Sequence, residues 1–113
     1  METFDRFDLI LVPFPFTDRT LSKRRPAVIL SAGSFFTDTG QVICAMVTTA
    51  KQSDWSSDVT LKDWQSAGLP VPSRVRLKIF TLDHRLILRH LGRLSRRDQR
   101  SVQAALKGLF GTA

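Results

Sequence analysis

Gln41-Val42-Ile43-Cys44-Ala45-Met46-Val47-Thr48 is the stretch on which the fold turns. Apolar residues follow one another here without polar alternation, so the run reads as a strand covered on both faces. Working outward toward the N-terminus, Ala27-Val28-Ile29-Leu30 is a short β-branched run entered through Pro26, and it makes a second strand. Residues 7–12 (Phe-Asp-Leu-Ile-Leu-Val) make a first, closed off by Pro13 and Pro15. Between these runs lie a polar, charged loop over residues 17–24 and a turn region bracketed by Gly33 and Gly40. Working outward toward the C-terminus, residues 58–61 predict a short strand. Residues 61–67 predict one helical turn, ended by Gly68, Pro70 and Pro72. Ser73-Arg74-Val75-Arg76-Leu77 alternates polar with apolar as a half-buried strand does, and residues 79–82 and 85–94 add two further strand-like pieces.

The end of the chain has a different period. Ser95 followed by Asp98 resembles a capping box with Asp in place of the usual Glu. Val102, Leu106, Leu109 and Phe110 then recur at helical spacing, and Gly111 stands where a C-terminal cap belongs. The outline is therefore mainly β, five to seven short strands followed by one amphipathic C-terminal helix. That order suits a small barrel packed by a terminal helix. With 113 residues the chain has room for one domain, spanning residues 1–113.

Charge is the most informative bulk property. Seventeen Lys and Arg stand against ten Asp and Glu, a net charge of +7. This is the electrostatic footprint of a nucleic-acid binder, although a membrane surface or an acidic protein would also suit it. The longest apolar run, residues 9–16, is broken by two prolines and falls short of the ~20 residues of a membrane-spanning helix. The start, Met1-Glu2-Thr3-Phe4-Asp5, lacks a basic and apolar leader, so a cytoplasmic protein with no membrane association is expected. The single cysteine, Cys44, excludes an internal disulfide and reads as an inert core thiol. Together with His84 and His90 it has no metal-ligand spacing, so neither metal nor cofactor is expected.

The usual catalytic signatures are absent: no phosphate-binding glycine loop, nucleophile elbow or His-Glu-x-x-His. What remains are basic and hydroxyl residues at strand ends, Lys23-Arg24-Arg25 before Pro26 and Thr48-Thr49 at the end of the third strand. If those two strands are antiparallel neighbours, Arg25 and Thr48 share one rim of the barrel. Their chemistry suits a phosphodiester, because a guanidinium fork matches two phosphate oxygens and a hydroxyl can donate to a third. Taken singly, an arginine pair before a strand is commonly a solvated surface feature, and a threonine pair at a strand end commonly reflects β-propensity. His84 and His90 are alternative proton carriers, with surface or dimer packing as their plainer role. Trp55, among Ser and Asp, could stack on a base, whereas Trp64 suits packing. Phe14 and Phe16 suit either the core or a substrate groove.

The segment Val12-Pro13-Phe14-Pro15-Phe16-Thr17-Asp18, followed by Ser22-Lys23-Arg24-Arg25-Pro26-Ala27-Val28-Ile29-Leu30-Ser31, resembles the opening of the MazF/PemK toxin family. The likeness continues through Ala45-Met46-Val47-Thr48-Thr49 and Val75-Arg76-Leu77-Lys78-Ile79-Phe80-Thr81-Leu82-Asp83 to Leu91-Gly92-Arg93-Leu94, in the same order. It implies an SH3-like barrel of the MazF/PemK/CcdB type, usually a homodimer. The implied activity is metal-independent cutting of single-stranded RNA at short sequences, leaving a 2′,3′-cyclic phosphate and a 5′-hydroxyl. A cognate antitoxin with an acidic, flexible segment is the implied partner. By the same resemblance Arg25 matches the catalytic arginine and Thr48 the catalytic threonine. Phe16, Thr17, Lys23 and Arg24 belong to the loop that lies over RNA. Thr49, Lys51 and Lys78 complete the substrate-contacting set. Where the family often opens its first strand with Gly-Asp, this chain has Phe7-Asp8. A guanidinium is a poor base, so Arg25 is expected mainly to stabilise the transition state. Two rival functions stand beside this one, a non-catalytic gyrase-poisoning toxin of the CcdB type and an RNA-binding-only member.

Overall fold

The computed structural model describes residues 2–14, 23–50 and 54–111. Within them the strands are β1 (Asp8–Phe14), β2 (Lys23–Ile29), β3 (Gln41–Thr49), β4 (Val59–Thr60), β5 (Ser73–Asp83) and β6 (Arg89–Arg93), with helices α1 (Gly33–Thr39) and α2 (Arg96–Phe110). One sheet holds all six strands in the order β4-β5-β3-β2-β1-β6. Every pairing is antiparallel. The fold is mostly β with a C-terminal helix, as the outline from sequence requires.

β3 lies in the middle and is buried on both faces, for the reason its unbroken apolar run suggests. Ala45 and Val47 face one core with Leu9, Val28, Val75 and Leu77, and α2 adds Val102 and Leu106 to it. Val42 and Cys44 face the other with Ile10, Val12, Ala27, Ile29 and Leu82. Burial pushes the Cys44 thiol up to about 12, so it stays protonated and inert.

Prolines sit inside two strands. Pro13 of β1 pairs with Arg24, but β6 leaves β1 at Leu11, so no ladder on that side needs its missing N–H. The β2–β3 pairing runs from Ile29↔Cys44 to Ala27↔Met46. Pro26, the next residue, carries no N–H with which to extend a ladder.

The two edges of the sheet meet without a ladder. The segment after β4 folds through turns at Ala67 N–H to Asp63 O (3.2 Å) and Leu69 N–H to Trp64 O (3.1 Å), and lies against β6. A Cβ on Gly68 would fall 2.2 Å from the Leu91 carbonyl oxygen, and one on Gly92 2.3 Å from that of Ala67. Backbone meets backbone there, and this contact closes the curl.

Several elements differ from the outline. The turn region between Gly33 and Gly40 is the helix α1, capped by Gly40 in the left-handed region (φ 71°). Phe36 on it packs edge-on against Phe4, with centroids 5.2 Å apart, and so covers the second core. The strand-like pieces at 73–77 and 79–82 are one strand with a bulge, since β5 places two extra residues between its partners for Ala45 and Met46. Residues 85–94 divide into a 3₁₀ turn (His84–Leu86) and β6. Leu109 and Phe110, at helical spacing with the core residues, are exposed near the end of α2. Phe7 occupies the left-handed region at φ 73°, which in a bulky residue costs about 1–3 kcal/mol. Its ring is buried and its N–H donates to Ile29 O at 2.6 Å, so the core holds a conformation that Gly would adopt freely.

Among the described residues, three arginine-bound carboxylates are more acidic than usual, and this predicts the acid limit of the fold. Arg76 holds Asp58 below its ordinary value, Arg97 and Ser95 hold Asp63 down at about 2, and Arg85 holds Asp83 lower still. Each is more acidic in the folded chain than in the unfolded one, so the unfolded state binds more protons between the two values. Stability is therefore expected to hold from neutrality to about pH 4 and to fall from there toward pH 2, with Asp58 dominant because it is the most buried of the three. Thermal midpoints measured against pH would check this; a midpoint that does not fall between about pH 4 and pH 2 would overturn it.

Candidate active site

Strand alternation sorts the basic residues onto two faces. On β2, Lys23 and Arg25 share the face of Ala27 and Ile29, while Arg24 and Pro26 take the other. The β2–β3 register, continued two residues beyond Ala27↔Met46, sets Arg25 opposite Thr48. β5 lies on the far side of β3, with Met46↔Arg76 and Thr48↔Arg74. Phe14, Arg25, Met46, Val47, Thr48, Arg76 and Lys78 consequently line one indentation of about 160 Å³. Three cations and a hydroxyl border it, and none of the lining residues is acidic.

The cations are held differently. Arg76 is buried and grips Asp58 with two bonds, Nε to Oδ1 at 3.1 Å and Nη2 to Oδ2 at 2.8 Å. The same pairing raises the Arg76 guanidinium above its ordinary value, so it keeps its charge. Arg74 reaches Asp54, the Ala50 carbonyl and, at 3.7 Å, Asp58. Trp55 lies over this group: the Arg76 Cζ is 5.0 Å and the Lys78 Nζ 5.5 Å from its ring centroid.

Of the residues singled out from sequence, Arg25, Thr48 and Lys78 come together in the indentation, and exposed Lys23 extends the same face of β2. Arg24 lines a separate cleft with Leu11, Pro26 and Arg89, and Thr49 one with Ala50, Val71 and Pro72. Phe16, Thr17 and Lys51 lie outside the described residues. Neither histidine lines the indentation. His84 Nδ1 lies 2.9 Å from the Gly40 carbonyl, and His90 Nε2 lies 3.6 Å from Asp8. Trp64 packs against the first core. Sequence reasoning misses Arg76, although the alternation of residues 73–78 sets it on the face of Lys78. Among the described residues no three His, Cys, Asp or Glu side chains gather as a metal site needs, and no helix is long and apolar enough to cross a membrane.

The structure is thus a small antiparallel sheet, curled and backed by a terminal helix, with an indentation bordered by three cations and a hydroxyl. Residues 5–110 match the family of PemK-like, MazF-like toxins of type II toxin–antitoxin systems, and the chain belongs to that family. Solved structures agree. MazF from Deinococcus radiodurans (Form-I) superposes with a TM-score of 0.76 at 25% identity, over 99% of this chain and 100% of that one. The MazE–MazF structure (Form-III) from the same organism gives 0.79 at 22% identity, over 99% and 100%. An endoribonuclease in complex with its cognate antitoxin, from Mycobacterial species, gives 0.78 at 18% identity, over 100% and 98%. No curated protein sequence matches the chain significantly.

Proposed function

We propose that this chain, as one domain over residues 1–113, is a metal-independent endoribonuclease that cuts single-stranded RNA within a toxin–antitoxin pair. The observation that carries the reading is the indentation where Arg25, Thr48, Arg76 and Lys78 surround a space with no acidic lining. In RNA the 2′-oxygen attacks the adjacent phosphorus, forming one P–O bond as the bond to the 5′-oxygen breaks. The 2′-hydroxyl gives up its proton and the departing 5′-oxygen gains one, leaving a 2′,3′-cyclic phosphate and a 5′-hydroxyl. No bound water has to be activated, so holding the phosphate in line and stabilising its oxygens is the main demand. Arg25 supplies a planar fork to two oxygens and Thr48 a third donor. Lys23 and Lys78 extend the cationic surface for neighbouring phosphates, and Phe16, Thr17 and Lys51 complete the contact set.

An antitoxin with an acidic, flexible segment complements this surface, in keeping with the solved endoribonuclease–antitoxin complex. A homodimer acting in the cytoplasm completes the reading. The test is incubation of purified protein with long single-stranded RNA in excess EDTA. Discrete fragments with 5′-hydroxyl ends are expected. Intact RNA from folded, antitoxin-free protein across several RNAs would overturn the reading and leave gyrase poisoning or RNA binding alone.

A further inference from the structure

Trp55 belongs to neither core, and 41% of it remains exposed. This large indole, in a loop of Ser and Asp, contributes to no apolar core, yet its position is tightly determined. Its backbone N–H donates to Asp58 Oδ2 at 3.0 Å, and its carbonyl accepts from the Asp58 N–H at 3.0 Å. The same Asp58 carboxylate fixes Arg76, whose guanidinium lies against the indole along with the Lys78 ammonium. One carboxylate thus locks together an exposed aromatic ring and a cation of the indentation.

We infer that Trp55 is a base-stacking residue: it receives a base beside a phosphate held by Lys78 at the border of the indentation. Every base presents a π-face, so stacking adds affinity and alignment with little choice of sequence. This inference rests on the ribonuclease reading for its substrate class, and its test is arranged to separate the two.

Trp55→Ala in the full chain is expected to raise KM for RNA about 5- to 150-fold, equivalent to ~1–3 kcal/mol, with kcat at saturation and the thermal midpoint little changed. Trp55→Phe keeps a stacking face and should restore most of the loss, which a merely structural role would not require. A second readout does not depend on cleavage. In a Trp64→Phe background, Trp55 is the sole tryptophan, and a short random-sequence 2′-O-methyl RNA, whose capped 2′-oxygen cannot attack, should quench its emission on binding. An unchanged KM in Trp55→Ala, or RNA that binds by anisotropy without quenching, overturns the inference while the ribonuclease reading stands. If the wild type cuts nothing, that reading fails, and the emission measurement alone decides: quenching supports stacking, and absent quenching or absent binding overturns it.

Discussion

Arg25→Ala is expected to slow RNA cleavage by about 10²–10³-fold, the usual cost of removing one preorganised donor to a developing oxyanion, while leaving the fold intact. The second half of that expectation follows from how Arg25 is held. It is half-buried at the mouth of the indentation and forms no ion pair among the described residues, whereas Arg76 is buried and bound to Asp58. Removing Arg25 therefore orphans no buried carboxylate, and a lost rate reads as lost chemistry. Arg25→Lys keeps the charge but not the planar fork, so it should recover only part of the rate. Thr48→Ala is expected to fall by a similar factor, and Thr48→Ser, which keeps the hydroxyl, should stay within about tenfold of wild type. Because the two side chains act on one phosphate, the double variant should be little worse than either single one. Full activity in Arg25→Ala would remove Arg25 from the chemistry and transfer the role to Arg76.

The juxtaposition of Arg25 and Thr48 is legible in the amino-acid sequence, since it needs only two adjacent antiparallel strands and a register. β3 is legible too, because an apolar run without alternation leaves few places in a sheet except the middle. The helix α1 is not. Gly33-Ser34-Phe35-Phe36-Thr37-Asp38-Thr39 is a weak helical sequence, and its helix survives because Phe36 packs on Phe4 and Gly40 caps it. Asp98 carries a misleading local signal. Ser95 does cap α2, with its Oγ 3.3 Å from the Asp98 N–H, but the Asp98 carboxylate reaches across the molecule to the N–H groups of Lys62 (3.0 Å) and Asp63 (2.9 Å). Local spacing cannot distinguish a carboxylate closing its own helix from one pinning a distant turn. The same limit hides the company of Trp55, because the loop at 54–58 meets β5 only through a long-range pairing. Within a strand, by contrast, period-two alternation separates Arg24 from Arg25 and Thr49 from Thr48, provided each residue is assigned its face before a motif is treated as a unit.

Gly92→Ala is expected to destabilise the fold by about 4 kcal/mol or more, a large share of the ~5–15 kcal/mol typical of a domain. The thermal midpoint should fall by roughly 15 °C. The new Cβ would stand 2.3 Å from the Ala67 carbonyl oxygen and 2.7 Å from its carbon, and both are backbone atoms that no rotamer change can move. Gly92 also pairs with Leu9 beside a bulge in the β1–β6 ladder, so a shift of β6 to relieve the clash would break that register. Gly68→Ala meets the opposite side of the same contact, 2.2 Å from the Leu91 carbonyl oxygen, and adds the strain of a side chain at φ 88°. Gly108→Ala is the internal control, because its Cβ would meet nothing within 4 Å and α2 should gain about 1 kcal/mol of helix propensity. Denaturant titration of the three variants would check the set. A Gly92→Ala chain as stable as wild type would mean that the sheet edges can part without cost, and that α2, not the contact between Ala67 and Gly92, keeps the barrel closed.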